Sequence, residues 1–490
     1  MGCQQVKNKK TDANITYFKN LFQHSSDIKI IRNQVLNEKK LEDLILIYCE
    51  GLINSDLLID SLVPDIQRSY TLNGIKGLKA LNYSETTKFV KNDPSIDTVI
   101  HEKVFSGYTA ILINEIIFFF NTANPPKRSP EESTTEVSVK GPRDAFVEDI
   151  TSNIALVRKR LKTDSMVTKS FTVGKRSNTK VSLVYMTDIQ NNEIINEVTE
   201  RIKAIDIDVL ISDNQLVDMI SDTKYSLFPL LESDSRPDGV VGNLARGRFA
   251  IFIDNVPNVV IGPTNFGLFL NTAEDEHIPF YYASFGMLLR IIGLILAIFL
   301  PSFWVALSAY NVDQIPFSLL ATIGASRLGI PFNTTVELLL MILLFELFRE
   351  AGVRLPKAVG QTVAVVGGLI VGDAAIRAGL TSPTMLVVAA TASVATFTLG
   401  NQSLFGTVTI LRVFSILCAS VLGMYGFFLS LFLTIGYLAK LKSFNIPYLS
   451  PVSPFTKGDF SKSLLKVPVI KQDKRARILK TQDADRQGEK

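Results

Sequence analysis

The run Ile291-Ile-Gly-Leu-Ile-Leu-Ala-Ile-Phe-Leu-Pro-Ser-Phe-Trp-Val-Ala-Leu-Ser-Ala309 carries no charge over nineteen residues. As a helix it would rise ~28 Å, close to the ~30 Å hydrocarbon core of a bilayer. Arg290 stands just before it, and Trp304 and Tyr310 near its far end suit an interfacial belt. Pro301 lies inside the run. Its missing N–H predicts a kink and a freed carbonyl that neighbouring protein must satisfy. Four more apolar segments follow: Val336–Phe348, Val359–Ile376, Met385–Leu399 and Val413–Leu438. Residues 281–440 are therefore expected to form an α-helical, multi-pass membrane domain.

From Lys440 onward, twelve basic residues face five acidic ones, against a net charge of +4 for the whole chain. A basic segment after the last apolar run is expected in the cytoplasm, as are Arg349, Arg354 and Lys357. Residues 441–490 are read as that cytoplasmic tail. If the N-terminal half shares its side, the number of full crossings is even, whereas the apolar segments number five. Either one segment is re-entrant or interfacial, or the long last one bends back. Met385–Leu399 is the expected exception, because it is short, holds Thr and Ser and follows Ser382-Pro383, and four full spans are expected.

Working back from Pro279, the pattern is that of a soluble α/β half built twice. Leu44–Tyr48 corresponds to Val181–Tyr185, and each precedes a helix-like stretch, Asp56–Leu62 and Glu193–Ile205. Gly107-Tyr-Thr-Ala-Ile-Leu-Ile-Asn114 with Ile116–Phe120 corresponds to Gly247-Arg-Phe-Ala-Ile-Phe-Ile-Asp254 with Val259–Ile261. These short, β-branched and aromatic runs suit half-buried strands. The division expected is an α/β subdomain over 1–120, a Pro-rich, protease-sensitive linker over 121–143, and a similar α/β subdomain over 144–280.

Within Val359–Ile376, Gly360, Ala364, Gly368 and Gly372 recur every fourth residue. Such a stripe lets membrane helices approach closely. One reading is tight packing within a single subunit. The other is packing against copies of itself around a central path, with Val363, Val366, Gly367, Ile370 and Asp373 on or near the inner face. Asp373 and Arg377 are spaced to pair. Glu337 and Glu346 bracket the preceding segment and read as interface residues. Glu274-Asp-Glu-His277 reads as a solvated acidic face, or as a cation-concentrating pore mouth.

Enzyme chemistry finds no foothold. No G-x-S-x-G or H-E-x-x-H occurs, and Gly174-Lys-Arg-Ser177 reads as a hairpin turn. Three histidines and three scattered cysteines give no metal or redox spacing, so no cofactor is expected. Charge is not gathered on a folded domain as in a nucleic-acid binder. The first forty residues hold no apolar run, so neither a signal peptide nor lipidation of Cys3 is expected.

Several longer motifs carry a resemblance. They are Gly141-Pro-Arg-Asp-Ala-Phe146 with Asn153–Leu161, Ser235-Arg-Pro-Asp238 before Gly247–Asp254, and Phe348-Arg-Glu-Ala-Gly-Val-Arg-Leu-Pro356. To these are added Pro331-Phe332, Gly360-Gln361, Val365–Gly372 and Phe444-Asn-Ile-Pro-Tyr-Leu-Ser-Pro451. In this order, from about residue 40 to about 465, the chain resembles the A subunit of the GerA family of spore germination proteins. The resemblance implies a nutrient receptor of the spore inner membrane, working with a permease-like B subunit and a lipoprotein C subunit. It implies that A subunits form a homo-oligomer making an ion path, while the B subunit takes the nutrient. It also singles out Arg236, Pro237, Asp238, Arg248, Asp254, Arg349, Glu350 and Pro356 as family-motif positions. Ser235 departs from the acidic residue usual there. A small-solute transporter subunit is the alternative, weakened by few spans and no inverted hydropathy repeat.

Overall fold

The computed structural model describes residues 2–23, 25–37, 40–79, 81, 84–123, 141–354, 370–456, 459–460 and 465–486. Described residues of Met1–Lys224, Leu231–Pro263 and Gln472–Lys490 form one compact unit. Those of Tyr225–Leu230 and Thr264–Lys471 form the other. The expected linker lies largely outside the described residues.

The first unit is α/β and holds the same sheet twice. Strands β1 (Ile28–Asn37), β2 (Lys40–Cys49), β3 (Ser84–Lys88), β4 (Tyr108–Ile113) and β5 (Ile116–Asn121) make an antiparallel sheet of order β1-β2-β4-β5-β3. Strands β6 (Met166–Val173), β7 (Thr179–Met186), β8 (Glu232–Asp234), β9 (Phe249–Ile253) and β10 (Val259–Gly262) repeat it as β6-β7-β9-β10-β8. The strand pairs matched by sequence occupy matching places. Gly107 and Gly247, at φ +87° and +89°, turn the chain into β4 and β9 alike.

The inner strands, β4 and β5 in the first sheet and β7, β9 and β10 in the second, are buried on both faces rather than half-buried, whereas β1 and β3 are largely exposed. Ile45, Ile47, Ala110 and Leu112 meet Phe18, Ile96, Ile100 and Val104 on one side of the first sheet. Leu44, Leu46, Ile111 and Ile113 meet Leu58, Leu62, Ile66 and Tyr70 on the other. Helices on both faces explain why the strands read as continuous apolar runs. Between the two sheets, Arg158, fully buried, donates to both Asp27 carboxylate oxygens at 3.0–3.3 Å and lies over the Phe105 ring. Cys49 donates its thiol to the same carboxylate, and burial pushes that thiol well up from its ordinary range.

The second unit is helical. Helix Phe280–Val305 runs on as a widened turn to Tyr310 and is followed by Phe317–Ser326, Thr334–Arg354, Gly372–Arg377, Pro383–Thr396 and Leu404–Lys440. Phe317–Ser326 has no counterpart among the expected segments. Among the described residues, Phe280–Tyr310 and Leu404–Lys440 are long and apolar enough to cross a membrane. The second is not one rod. Gly423 has φ +59° and ψ −135°, and the Ser415 and Ser430 hydroxyls lie 2.8 Å apart, where a straight helix would separate them by ~22 Å. The segment is therefore a hairpin with arms 404–422 and 424–440, so the last apolar run bends back. Close passage of the arms needs Gly426, since a Cβ there would sit 2.0 Å from the Cys418 carbonyl oxygen. The reversal at Gly74 is the same device: φ +56°, with a Gly77 Cβ falling 2.2 Å from the Ser69 oxygen.

Candidate functional site

The helical unit is tied by ionisable side chains, and its centre is Arg412. Helix Phe280–Val305 loses one hydrogen bond at Pro301, which frees the Ala297 carbonyl. Arg412, 1% exposed on the first hairpin arm, donates Nε to that oxygen at 2.6 Å. Its Nη2 donates to Ala392 O at 3.2 Å and Thr396 Oγ1 at 2.5 Å on helix Pro383–Thr396. Its Nη1 lies 3.7 Å from Glu346. One guanidinium thus bridges four helices and satisfies the carbonyl that proline leaves open. Beside it, Glu346 accepts from Thr409 Oγ1 at 2.8 Å and pairs with Arg349 at 2.6 Å.

A second tie lies at the start of Pro383–Thr396. Glu337 is 0% exposed, and its Oε1 accepts from the Ser382 N–H and hydroxyl, both at 2.6 Å, and from Thr381 Oγ1 at 3.2 Å. A carboxylate there favours the positive end of the helix dipole. Arg327 approaches Oε2 to 3.7 Å. A third tie precedes the first long helix. Asp275, 1% exposed, accepts from Arg290 Nη1 at 2.6 Å and Nη2 at 3.0 Å and closes a capping box with Thr272. Glu276 pairs with Lys466 at 2.5 Å.

The burial of Asp275 corrects the reading of Glu274–His277 as a solvated acidic face, and Glu337, read as an interface residue, is buried within the helical unit. Glu337 and Asp275 are buried because each has a built partner that offsets its desolvation. Arg290 does not bound its helix, which begins at Phe280, because its charge is neutralised by Asp275. The sequence reading does not single out Arg412, although the carbonyl freed by Pro301 calls for a donor.

Of the small-residue stripe, Gly360, Val363, Ala364, Val366, Gly367 and Gly368 lie outside the described residues, as does Pro356. Gly372 faces Leu386, whose side chain would be 3.2 Å from an added Cβ. Ile370 is exposed, and Asp373 pairs with Arg377 at 2.8 Å on the surface.

The family-motif positions of the α/β unit make local ties. Arg236 precedes helix Pro237–Ala245, with Pro237 in the first turn, and chelates Asp238 through Nε at 3.1 Å and Nη2 at 2.7 Å. Arg248 is buried, donating to Pro263 O at 2.9 Å and Asn243 Oδ1 at 3.1 Å. Burial pushes its pKa down to about 10. Asp254 accepts from Ile150 N–H at 3.4 Å, at the start of helix Ile150–Arg158. Arg349 joins the Glu346 pair, and Glu350 is exposed. Among the described residues no group of three or more His, Cys, Asp or Glu is placed to hold a metal ion.

Residues 16–478 match the family model described as Bacillus/Clostridium GerA spore germination protein. The chain is 40% identical over 472 residues to spore germination protein XA of Bacillus anthracis, covering 95% of each. It is 32% identical to spore germination protein KA of Bacillus subtilis (strain 168), over 95% of this chain and 86% of that one. Among solved structures, it is similar to the N-terminal domain of the A subunit of the Bacillus megaterium spore germinant receptor GerK3. That match has 27% identity and TM-score 0.38, and covers 52% of this chain and 94% of that one.

Proposed function

The chain belongs to the GerA family of spore germination proteins, and on that premise we propose that it is the A subunit of a nutrient germinant receptor in the spore inner membrane. The observation that carries this reading is the 40% identity to spore germination protein XA across 95% of both chains. Its partners are a permease-like B subunit, which takes the nutrient, and a lipoprotein C subunit. The α/β half and the basic tail lie in the cytoplasm, and the helical unit crosses the membrane several times. Copies of the chain assemble around an ion path lined by the apolar segment Val359–Ile376, with its small residues Gly360, Ala364, Gly368 and Gly372 and with Val363, Val366 and Ile370 as an apolar constriction that gates by dewetting. The chain performs no catalysis; its work is to change conformation.

The fully buried Arg412 supports this reading, because a charge held among apolar helices is costly and marks function or a specific assembly. The test is gentle solubilisation of spore membranes with a tagged chain. The expected result is co-purification of both partners with several copies of the chain per complex. A monomer free of either partner would contradict the proposal. Val366→Ala should cause nutrient-independent ion release at normal abundance, and normal release there would remove the gate.

A further inference from the structure

The connection from Tyr310 to Thr334 holds an apolar helix too short to cross a bilayer. Phe317–Ser326 has ten residues and no charge, and rises ~15 Å against a hydrocarbon core of ~30 Å. Asp313, exposed, stands four residues before it and Arg327 directly after, so neither end can go deep into hydrocarbon without drawing a charge along. Its backbone closes locally. The Leu319 and Leu320 N–H groups donate to Pro316 O at 2.9 and 3.0 Å, and the Arg327 N–H donates to Gly324 O at 3.2 Å. Ser318, Thr322 and Ser326 follow every fourth residue along one side, with Phe317 and Leu320 on the opposite side. Thr322 Oγ1 donates back to Ser318 O at 3.3 Å, and Ser326 Oγ to Ile323 O at 2.8 Å. Within the helical unit the helix packs against Pro383–Thr396, and Ile323 is its one buried residue. Phe317 is 86% exposed and Leu319 55%, and Ser318, Ala321, Thr322, Gly324 and Ala325 are exposed as well.

We propose that helix Phe317–Ser326 lies flat in the bilayer interface, on the side where Tyr310 ends the first long helix. The hydroxyl stripe faces the headgroups, and Phe317 and Leu320 enter the upper acyl chains. An uncharged helix that is apolar over most of its surface has no stable place in water. Its exposed residues spread over more than half of its circumference, whereas a partner helix would cover one narrower stripe. Lipid covers so broad a surface, and the same lipid meets the exposed apolar residues of the first long helix, such as Ile292, Ile295 and Phe303. Asp313 and Arg327 stay at headgroup level, and Arg327 is held there by the buried Glu337 at 3.7 Å. The helix is thus a membrane-surface anchor that fixes the depth of the whole connection. This placement rests on the proposed crossing of the membrane by the helical unit.

The test is depth-dependent quenching of tryptophan fluorescence in the full chain, reconstituted in phosphatidylcholine–phosphatidylglycerol vesicles. Trp304, the chain's one tryptophan, is replaced by phenylalanine; if that lowers the yield, it is kept and the parent signal subtracted. Phe317→Trp and Ala325→Trp report on the two ends of the helix, and Phe303→Trp in the first long helix is the control. Lipids brominated high on the acyl chain should quench Phe317→Trp and Ala325→Trp to similar extents, at least about twofold more than lipids brominated near the chain end. Phe303→Trp should show the reverse order. A steep difference between positions 317 and 325, or stronger quenching of both by the deep bromines, would put the helix in the core and overturn the proposal. Quenching of both by aqueous iodide alone, or by neither agent, would put it in water or against protein and overturn it too. If no bromine reaches Phe303→Trp either, the membrane reading of the helical unit falls as well; normal quenching at 303 confines the failure to this helix.

Discussion

Replacing Arg412 by leucine should destabilise the helical unit by about 3 kcal/mol, and replacing Pro301 by alanine should return part of that loss. Arg412 donates to three acceptors, but they are not equal. Thr396 Oγ1 can turn back on the Ala392 carbonyl, to which it already donates at 3.0 Å. The Ala297 carbonyl has no such resort, because residue 301 is proline; a buried orphan acceptor costs ~1–3 kcal/mol. Glu346 keeps Arg349 and Thr409, so it is not left as an uncompensated charge. Pro301→Ala supplies the missing N–H to Ala297 O. In the double variant the loss should therefore be smaller than the sum of the single effects by about 1 kcal/mol. Thermal unfolding in detergent measures this, with Arg412→Leu lowering the midpoint by roughly 6–12 °C. Strict additivity, or an Arg412→Leu protein as stable as the parent, would refute the claim that Arg412 is the donor that proline requires.

In the α/β unit, Asp27→Ala should cost about 3 kcal/mol by stranding the buried Arg158, while Asp27→Leu with Arg158→Met should recover most of it; thermal unfolding of both variants beside the parent decides. Burial holds the His101 imidazole below its ordinary 6.5, and among the described residues its Nδ1 has no hydrogen-bond partner. The unfolded chain then binds the proton more readily, so stability should be lost as pH falls below about 6.5; His101→Phe should lessen that loss between pH 7.5 and 5.5. For the hairpin, cysteines at Gln402 and Lys442 should be labelled from one side of the membrane and a cysteine at Val421 from the other; labelling of 402 and 442 from opposite sides would restore a straight helix. Gly426→Leu, whose side chain meets the Cys418 carbonyl, should sharply lower abundance by immunoblot, and normal abundance would remove the close crossing.

The doubled α/β plan was legible because its strands are short apolar runs bounded by turn residues, and Gly107 and Gly247 mark the same turn in each copy. That both strand faces are buried was less so, since covering helices such as the one carrying Phe18 are weakly apolar overall. In the helical half, hydropathy located four of the described helices, missed Phe317–Ser326, and could not say which charges find partners. Glu337, Glu346 and Asp275 look alike in sequence; only a Ser382 N–H, a Thr409 hydroxyl or an Arg290 from distant positions distinguishes them. Gly423 was hidden for a related reason. Inside an apolar run a glycine reads as one more small residue, and the reversal becomes visible only when Ser415 meets Ser430. The family-motif residues were found by resemblance, and their local ties, such as Arg236 on Asp238, could have been suspected from their spacing alone.

The most direct test of the account is ion release on nutrient addition, in spores whose only A-type receptor subunit is this chain. With the chain present, release should begin within the normal lag after the nutrient. With the chain deleted and both partner subunits retained, release should be abolished while the spores still germinate when their inner membrane is permeabilised. Nutrient-triggered release at the normal rate from the deleted spores would contradict the account.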